Sequence, residues 1–210
     1  MSITLREARL VLRFPPGWHA VKWDATPGGE PPDPPPFLHA DGIGKLQGAL
    51  DGRSESSKAV DVVASPPTPV LILIELKDVR SDPATVGGAR ALAYKGRWKS
   101  LPLEIALKVR DTLAGVHGVV QRGEPTEVAA WMRAAQGGNT RVVALVAQDA
   151  HRPNEPETKR EARDSEMRKN LRRMLAWLTK DPQAVVVLDP LRDVWPRWMD
   201  GVACEAAPAP

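Results

Sequence analysis

The pattern of apolar and polar positions divides the chain into segments that alternate between strand and helix periods. Over residues 8–14, Ala8, Leu10, Leu12 and Phe14 fall on one side and Arg9, Val11 and Arg13 on the other, the period of a half-buried strand. Pro15-Pro16-Gly17 ends it. His19, Val21 and Trp23 then alternate with Trp18, Ala20 and Lys22, so a second strand is expected to pair back on the first, making an N-terminal hairpin over 3–24. The β-branched run Ala59–Ala64 and the apolar run Val70–Lys77 flank the proline-rich turn Ser65–Pro69 and read as a hairpin of two buried strands. Ile105, Val109, Leu113, Val116 and Val120 recur every three or four residues, which predicts a helix over 103–120. A second short helix is expected over 126–135 and a buried strand over 141–147. A third helix is expected over 157–179, with the stripe Met167, Leu171, Met174, Leu175 and Leu178. Residues 184–188 read as a last strand, and 204–210 as a loose tail. Strands first, then helix, strand, helix, strand, is the order of an α/β sheet flanked by helices.

Composition narrows this picture in three ways. The length of 210 residues fits one domain with trimmings, here a core of about 40–190. Of the 21 prolines, six fall within 26–36, marking an exposed loop that interrupts the pattern. Residues 43–50 read as a short helix weakened by its glycines. A single cysteine, Cys204, excludes an internal disulfide and a cysteine zinc site. The longest apolar run, Val70–Ile74, is too short to cross a bilayer. The first residues lack the basic start and apolar stretch of a signal peptide, so a cytoplasmic protein without membrane contact is expected.

The candidate chemistry lies on the central hairpin. Side chains alternate along a strand, so Leu71, Leu73, Glu75 and Lys77 share one face, and Ile72, Ile74 and Leu76 the other. Both faces are apolar for most of the length, so a strand that ends in Glu and Lys must pair those charges or bind an ion with them. Asp61 stands 14 residues before Glu75; pairing around the Ser65–Pro69 turn brings it beside Glu75. Two adjacent carboxylates are relieved by a hard cation, for which oxygen ligands favour Mg²⁺ or Mn²⁺.

Asp61 followed by Glu75-Leu76-Lys77 at the end of an apolar strand resembles the signature of the PD-(D/E)xK nucleases, the restriction-endonuclease-like superfamily. Val60 stands where the signature carries proline, and the acidic residue many members place on a preceding helix has only Asp41 and Glu55 as candidates. The resemblance implies a restriction-endonuclease-like α/β fold, a mixed central sheet flanked by helices, and metal-dependent hydrolysis of phosphodiesters. It implies that Asp61, Glu75 and the Leu76 carbonyl hold Mg²⁺ or Mn²⁺. Lys77 would orient or deprotonate a water, or neutralise the transition state. DNA rather than RNA is the implied substrate, with a role in antiviral defence or repair, and a homo-oligomer or partner subunit would assist target choice. The contrasting expectation is a non-catalytic subunit of the same fold, serving as a nucleic-acid-binding or protein-interaction scaffold.

Charge sharpens the nuclease expectation. The whole chain carries only +3, yet residues 77–110 hold eight basic and three acidic side chains. Arg80, Arg90, Lys95, Arg97 and Lys99, interleaved with Tyr94 and Trp98, are the candidate nucleic-acid contacts. On the 157–179 helix the acids lead and the bases trail, as the helix dipole favours. Arg168, Lys169, Arg172 and Arg173 are further candidates for phosphate. The four histidines show no ligand spacing, and Trp131, Trp195 and Trp198 are expected to close the core or an oligomer contact.

Overall fold

The computed structural model describes residues 2–7, 9–23, 59–78, 100–122, 127–147 and 156–207. They form β1 (Ile3–Glu7), β2 (Leu10–Phe14), β3 (His19–Lys22), β4 (Val62–Ser65), β5 (Leu71–Asp78), α1 (Leu101–Arg122), α2 (Glu127–Gln136), β6 (Thr140–Ala147), α3 (Glu157–Met174), β7 (Val185–Leu188) and β8 (Ala203–Ala206). The architecture is mixed α/β with two sheets. A five-stranded sheet runs β3-β4-β5-β6-β7, and a three-stranded sheet runs β1-β2-β8. In the larger sheet β3, β4 and β5 pair antiparallel, whereas β5, β6 and β7 pair parallel. The three-stranded sheet is antiparallel throughout.

Strand parity explains the layering. On β5, Leu71 and Leu73 join a core with Ile105, Val109 and Val116 of α1, Met132 of α2, and Met167 and Leu171 of α3. Ile72, Ile74 and Leu76 join a second core with Leu10, Leu12 and Phe14 of β2, plus Met199 and Val202. β5 is thus buried on both faces, as its unbroken apolar run requires. Successive crossovers of one hand, β5 to β6 to β7, deliver their helices to the same face of the sheet. Among the described residues, helices flank one face of the sheet, and the small sheet covers the other.

The N-terminal hairpin is drawn differently from the sequence expectation. β2 pairs with β1 and β8, and β3 pairs with β4, so residues 10–14 and 19–22 lie in different sheets. Gly17, at φ +86°, sits in the turn that carries the chain between them; that left-handed geometry favours glycine. The tail expected to be loose instead supplies β8, with Cys204 opposite Leu12. The third helix ends at Met174, five residues early, and Leu175 still packs in the core from the following turn. Trp195 and Trp198 pack against the second core, and Arg141 lies over the Trp198 ring at 4.9 Å. Gly138 has its own reason: a Cβ there would overlap the Pro69 carbonyl, so the turn before β6 can approach the β4–β5 turn only without a side chain. The 26–36 loop, the 43–50 helix, Asp41 and Glu55 lie outside the described residues. No helix of the described residues is long and apolar enough to cross a membrane.

Candidate functional site

β4 and β5 pair with Val62 opposite Ile74. One step further along that register, Asp61 stands opposite Glu75. Both take the parity of Val63 and Leu73, the helix-facing side, and both are nearly fully buried. Three hydrogen bonds pin the Asp61 segment. The Trp23 N–H donates to the Asp61 backbone carbonyl at 2.9 Å. The Val60 N–H donates to Thr112 Oγ1 of α1 at 2.9 Å. The Leu76 N–H donates to Asp61 Oδ2, which orients the carboxylate. In a strand a residue's N–H and C=O point to the same side, so the Leu76 carbonyl is turned toward the Asp61 side as well.

Two lysines meet this carboxylate pair. Lys77 Nζ lies 2.8 Å from Glu75 Oε1 and 3.0 Å from Glu104 Oε1. Lys108 Nζ lies 2.7 Å from Glu75 Oε1 and 3.7 Å from Asp61 Oδ1. Glu75 Oε2 is buried and has no hydrogen-bond partner among the described residues. Burial, and then the Asp61 charge, push the Glu75 carboxyl above its ordinary range against the pull of both lysines. Burial alone would lower Lys77, but the adjacent Glu75 and Glu104 carboxylates outweigh it and hold the ammonium above the ordinary lysine value. Paired with both Glu75 and Glu104, the Lys77 ammonium is placed to orient or neutralise an anion.

The structure thus brings Asp61, Glu75, Leu76 and Lys77 together. It adds Glu104 and Lys108, which sequence reasoning counted as charges but did not place in the site. Their signal is faint but real: Glu104, Lys108 and Thr112 recur every fourth residue beside the apolar stripe of Ile105 and Val109, so one polar ridge of α1 faces β4 and β5. Arg80, Arg90, Lys95, Arg97 and Lys99, with Tyr94 and Trp98, lie outside the described residues. Arg168 and Arg172 of α3 donate to the Val187 and Val185 carbonyls of β7 at 3.3 and 3.2 Å. Both guanidinium groups thus serve the sheet edge.

Among the described residues, no group of three or more His, Cys, Asp or Glu is placed to hold a metal ion. The donors that do meet are the Asp61 and Glu75 carboxylates, with one Glu75 oxygen lacking a hydrogen-bond partner among the described residues. Mg²⁺ is commonly held by one or two carboxylates, with water and substrate phosphate filling its octahedron, so these residues fit it. Formally, three acids and two lysines leave the cluster at one negative charge, and a divalent ion reverses the sign in favour of a phosphate. Family models, curated proteins and solved structures yield no match to this chain.

Proposed function

We propose that the chain is a metal-dependent nuclease of the restriction-endonuclease-like kind, acting on phosphodiester bonds of nucleic acid, with DNA the substrate that the sequence resemblance favours. One observation carries the reading. Asp61 and Glu75 face each other across β4 and β5, and Lys77 follows two residues on, at the C-terminal end of a central strand. The strand of Asp61 lies beside the strand of Glu75 and Lys77, with a helix and then a further strand, β6, following in the chain, and this order supports the reading. Asp61, Glu75 and the Leu76 carbonyl would hold Mg²⁺ or Mn²⁺. When bound, such an ion would supply a Lewis acid for a phosphate oxygen and lower the pKa of a bound water. The Leu76 N–H keeps Asp61 in its rotamer. Lys77, anchored by Glu104, sets a fixed positive charge beside the attacked phosphate, where negative charge grows in the transition state.

A non-catalytic scaffold of the same fold is favoured by a different observation: two lysines already pair with the Asp61 and Glu75 carboxylates without any ion. One experiment separates the readings. Purified protein is incubated with plasmid, linear duplex, single-stranded DNA and RNA, each with Mg²⁺ or Mn²⁺, beside Asp61→Asn and Lys77→Ala. Metal-dependent cleavage that both variants lose supports the nuclease. Absence of cleavage throughout, or equal cleavage by the variants, supports the scaffold.

A further inference from the structure

We propose that Lys108 is a built-in counter-cation of the Asp61–Glu75 pair, and that a divalent cation enters the site by displacing its ammonium. This rests on the metal-dependent reading above and concerns how that same site is filled.

The geometry separates the two lysines. Lys108 Nζ touches Glu75 Oε1 at 2.7 Å and reaches Asp61 Oδ1 at 3.7 Å, so its charge sits between the two carboxylates. A bridging cation would have to occupy that ground. Mg²⁺ approaches oxygen to about 2.0–2.1 Å, and like charges that close, in a buried setting, repel strongly. Lys77 shares Glu75 Oε1 but also holds Glu104, 3.0 Å away, whose side chain is 35% exposed. Lys77 therefore keeps an anchor if Glu75 turns to a metal. Among the described residues, the acidic partners of Lys108 are Glu75 and Asp61 alone. Its side chain is 12% exposed, held in place by the groups a metal would claim.

Displacement has two consequences. Without metal, Lys108 lowers the repulsion between two carboxylates and keeps the β4–β5 end intact. With metal, its ammonium leaves both carboxylates and becomes a free donor on the α1 side, the chemistry that pairs with a phosphate oxygen. Filling the site and presenting a phosphate-binding cation are then one event.

The test uses the intact wild-type chain without nucleic acid. Limiting acetylating reagent labels free amines with and without saturating Mg²⁺, and peptide mass spectrometry reads Lys108 and Lys77 separately. Labelling of Lys108 is expected to rise severalfold with Mg²⁺ and that of Lys77 to stay level, with the rise absent in Asp61→Asn. Calorimetry with Mn²⁺ supplies the second measurement. Lys108→Met, which keeps the apolar stem, is expected to bind about tenfold tighter than wild type, since a unit charge at contact distance is removed. If wild type binds Mn²⁺ through Asp61 while Lys108 labelling stays level and Lys108→Met binds no tighter, the displacement proposal falls and the metal site stands. If neither wild type nor Lys108→Met binds Mn²⁺, the metal-dependent reading falls, and this proposal with it.

Discussion

Thr112 ties α1 to the strand that presents Asp61, and replacing it with valine tests that tie. The residue is fully buried, and its Oγ1 accepts the Val60 N–H at 2.9 Å. Valine preserves the branched shape, so packing changes little, but the buried Val60 N–H loses its acceptor. An orphaned buried donor costs about 1–3 kcal/mol. In a chain of 210 residues, each kcal/mol moves the melting temperature by roughly 2–4 °C. Urea melts followed by the fluorescence of the seven tryptophans should show a lower midpoint with an unchanged slope, the mark of lost stability without a change in the exposed surface. Thr112→Ser keeps the hydroxyl and loses one methyl, worth about 0.8 kcal/mol before any cavity term. If Thr112→Val melts within about 0.5 kcal/mol of wild type while Thr112→Ser does not, the methyl matters and the hydrogen bond does not. The account of how Asp61 is positioned would then be refuted.

Two further perturbations probe the site and the cover. The Glu75 carboxyl titrates above its ordinary 4.5, so the folded chain holds that proton more tightly than the unfolded one. The resulting stability is present below pH 4.5 and is lost as pH rises through the folded value. Glu75→Gln should therefore gain on wild type in thermal melts as pH climbs from about 4.5 toward neutral, and a difference independent of pH would contradict it. Deleting residues 203–210 removes the four positions at which β8 pairs with β2, baring an edge above a buried face. The melting temperature should fall by several degrees, and an unchanged melt would show that β8 is dispensable.

What the sequence disclosed and what it concealed have separate physical causes. β4 and β5 are legible because a strand buried on both faces must be continuously apolar, and Asp61, Glu75 and Lys77 interrupt that run. The stripes of Ile105, Val109 and Val116, and of Met167 and Leu171, fix the inward faces of α1 and α3. β8, Ala-Cys-Glu-Ala, carries no β-branched residue and no fully buried one; ladder hydrogen bonds make it a strand, and these leave no mark on composition. Lys108 was illegible for a similar reason. A glutamate and a lysine four apart on a helix read as a solvated pair, and only the packing of α1 over β5 turns Lys108 onto Glu75. The expected pairing of 8–14 with the strand after Pro15–Gly17 does not form because alternation identifies a strand but not its partner: β2 takes β1, just before it, and the distant β8, while the partner of β3 is β4, far along the chain.

The pairing of β2 with β8 also sets an order of assembly. Leu12 meets Leu5 seven residues away and Cys204 192 residues away. A β1–β2 hairpin can form as soon as it leaves the ribosome, but its third strand emerges only after every element of the large sheet has been made. Closing so long a loop from a disordered chain costs about 3 kcal/mol more than closing the short one, which favours docking β8 onto a sheet already formed. Until then the β1–β2 ribbon has to keep Ile72, Ile74 and Leu76 covered as a two-stranded flap, and such ribbons are marginal by themselves. The carboxylates of the site, on the opposite face and held by β3, β4, β5 and α1, belong to the part of the molecule that does not wait.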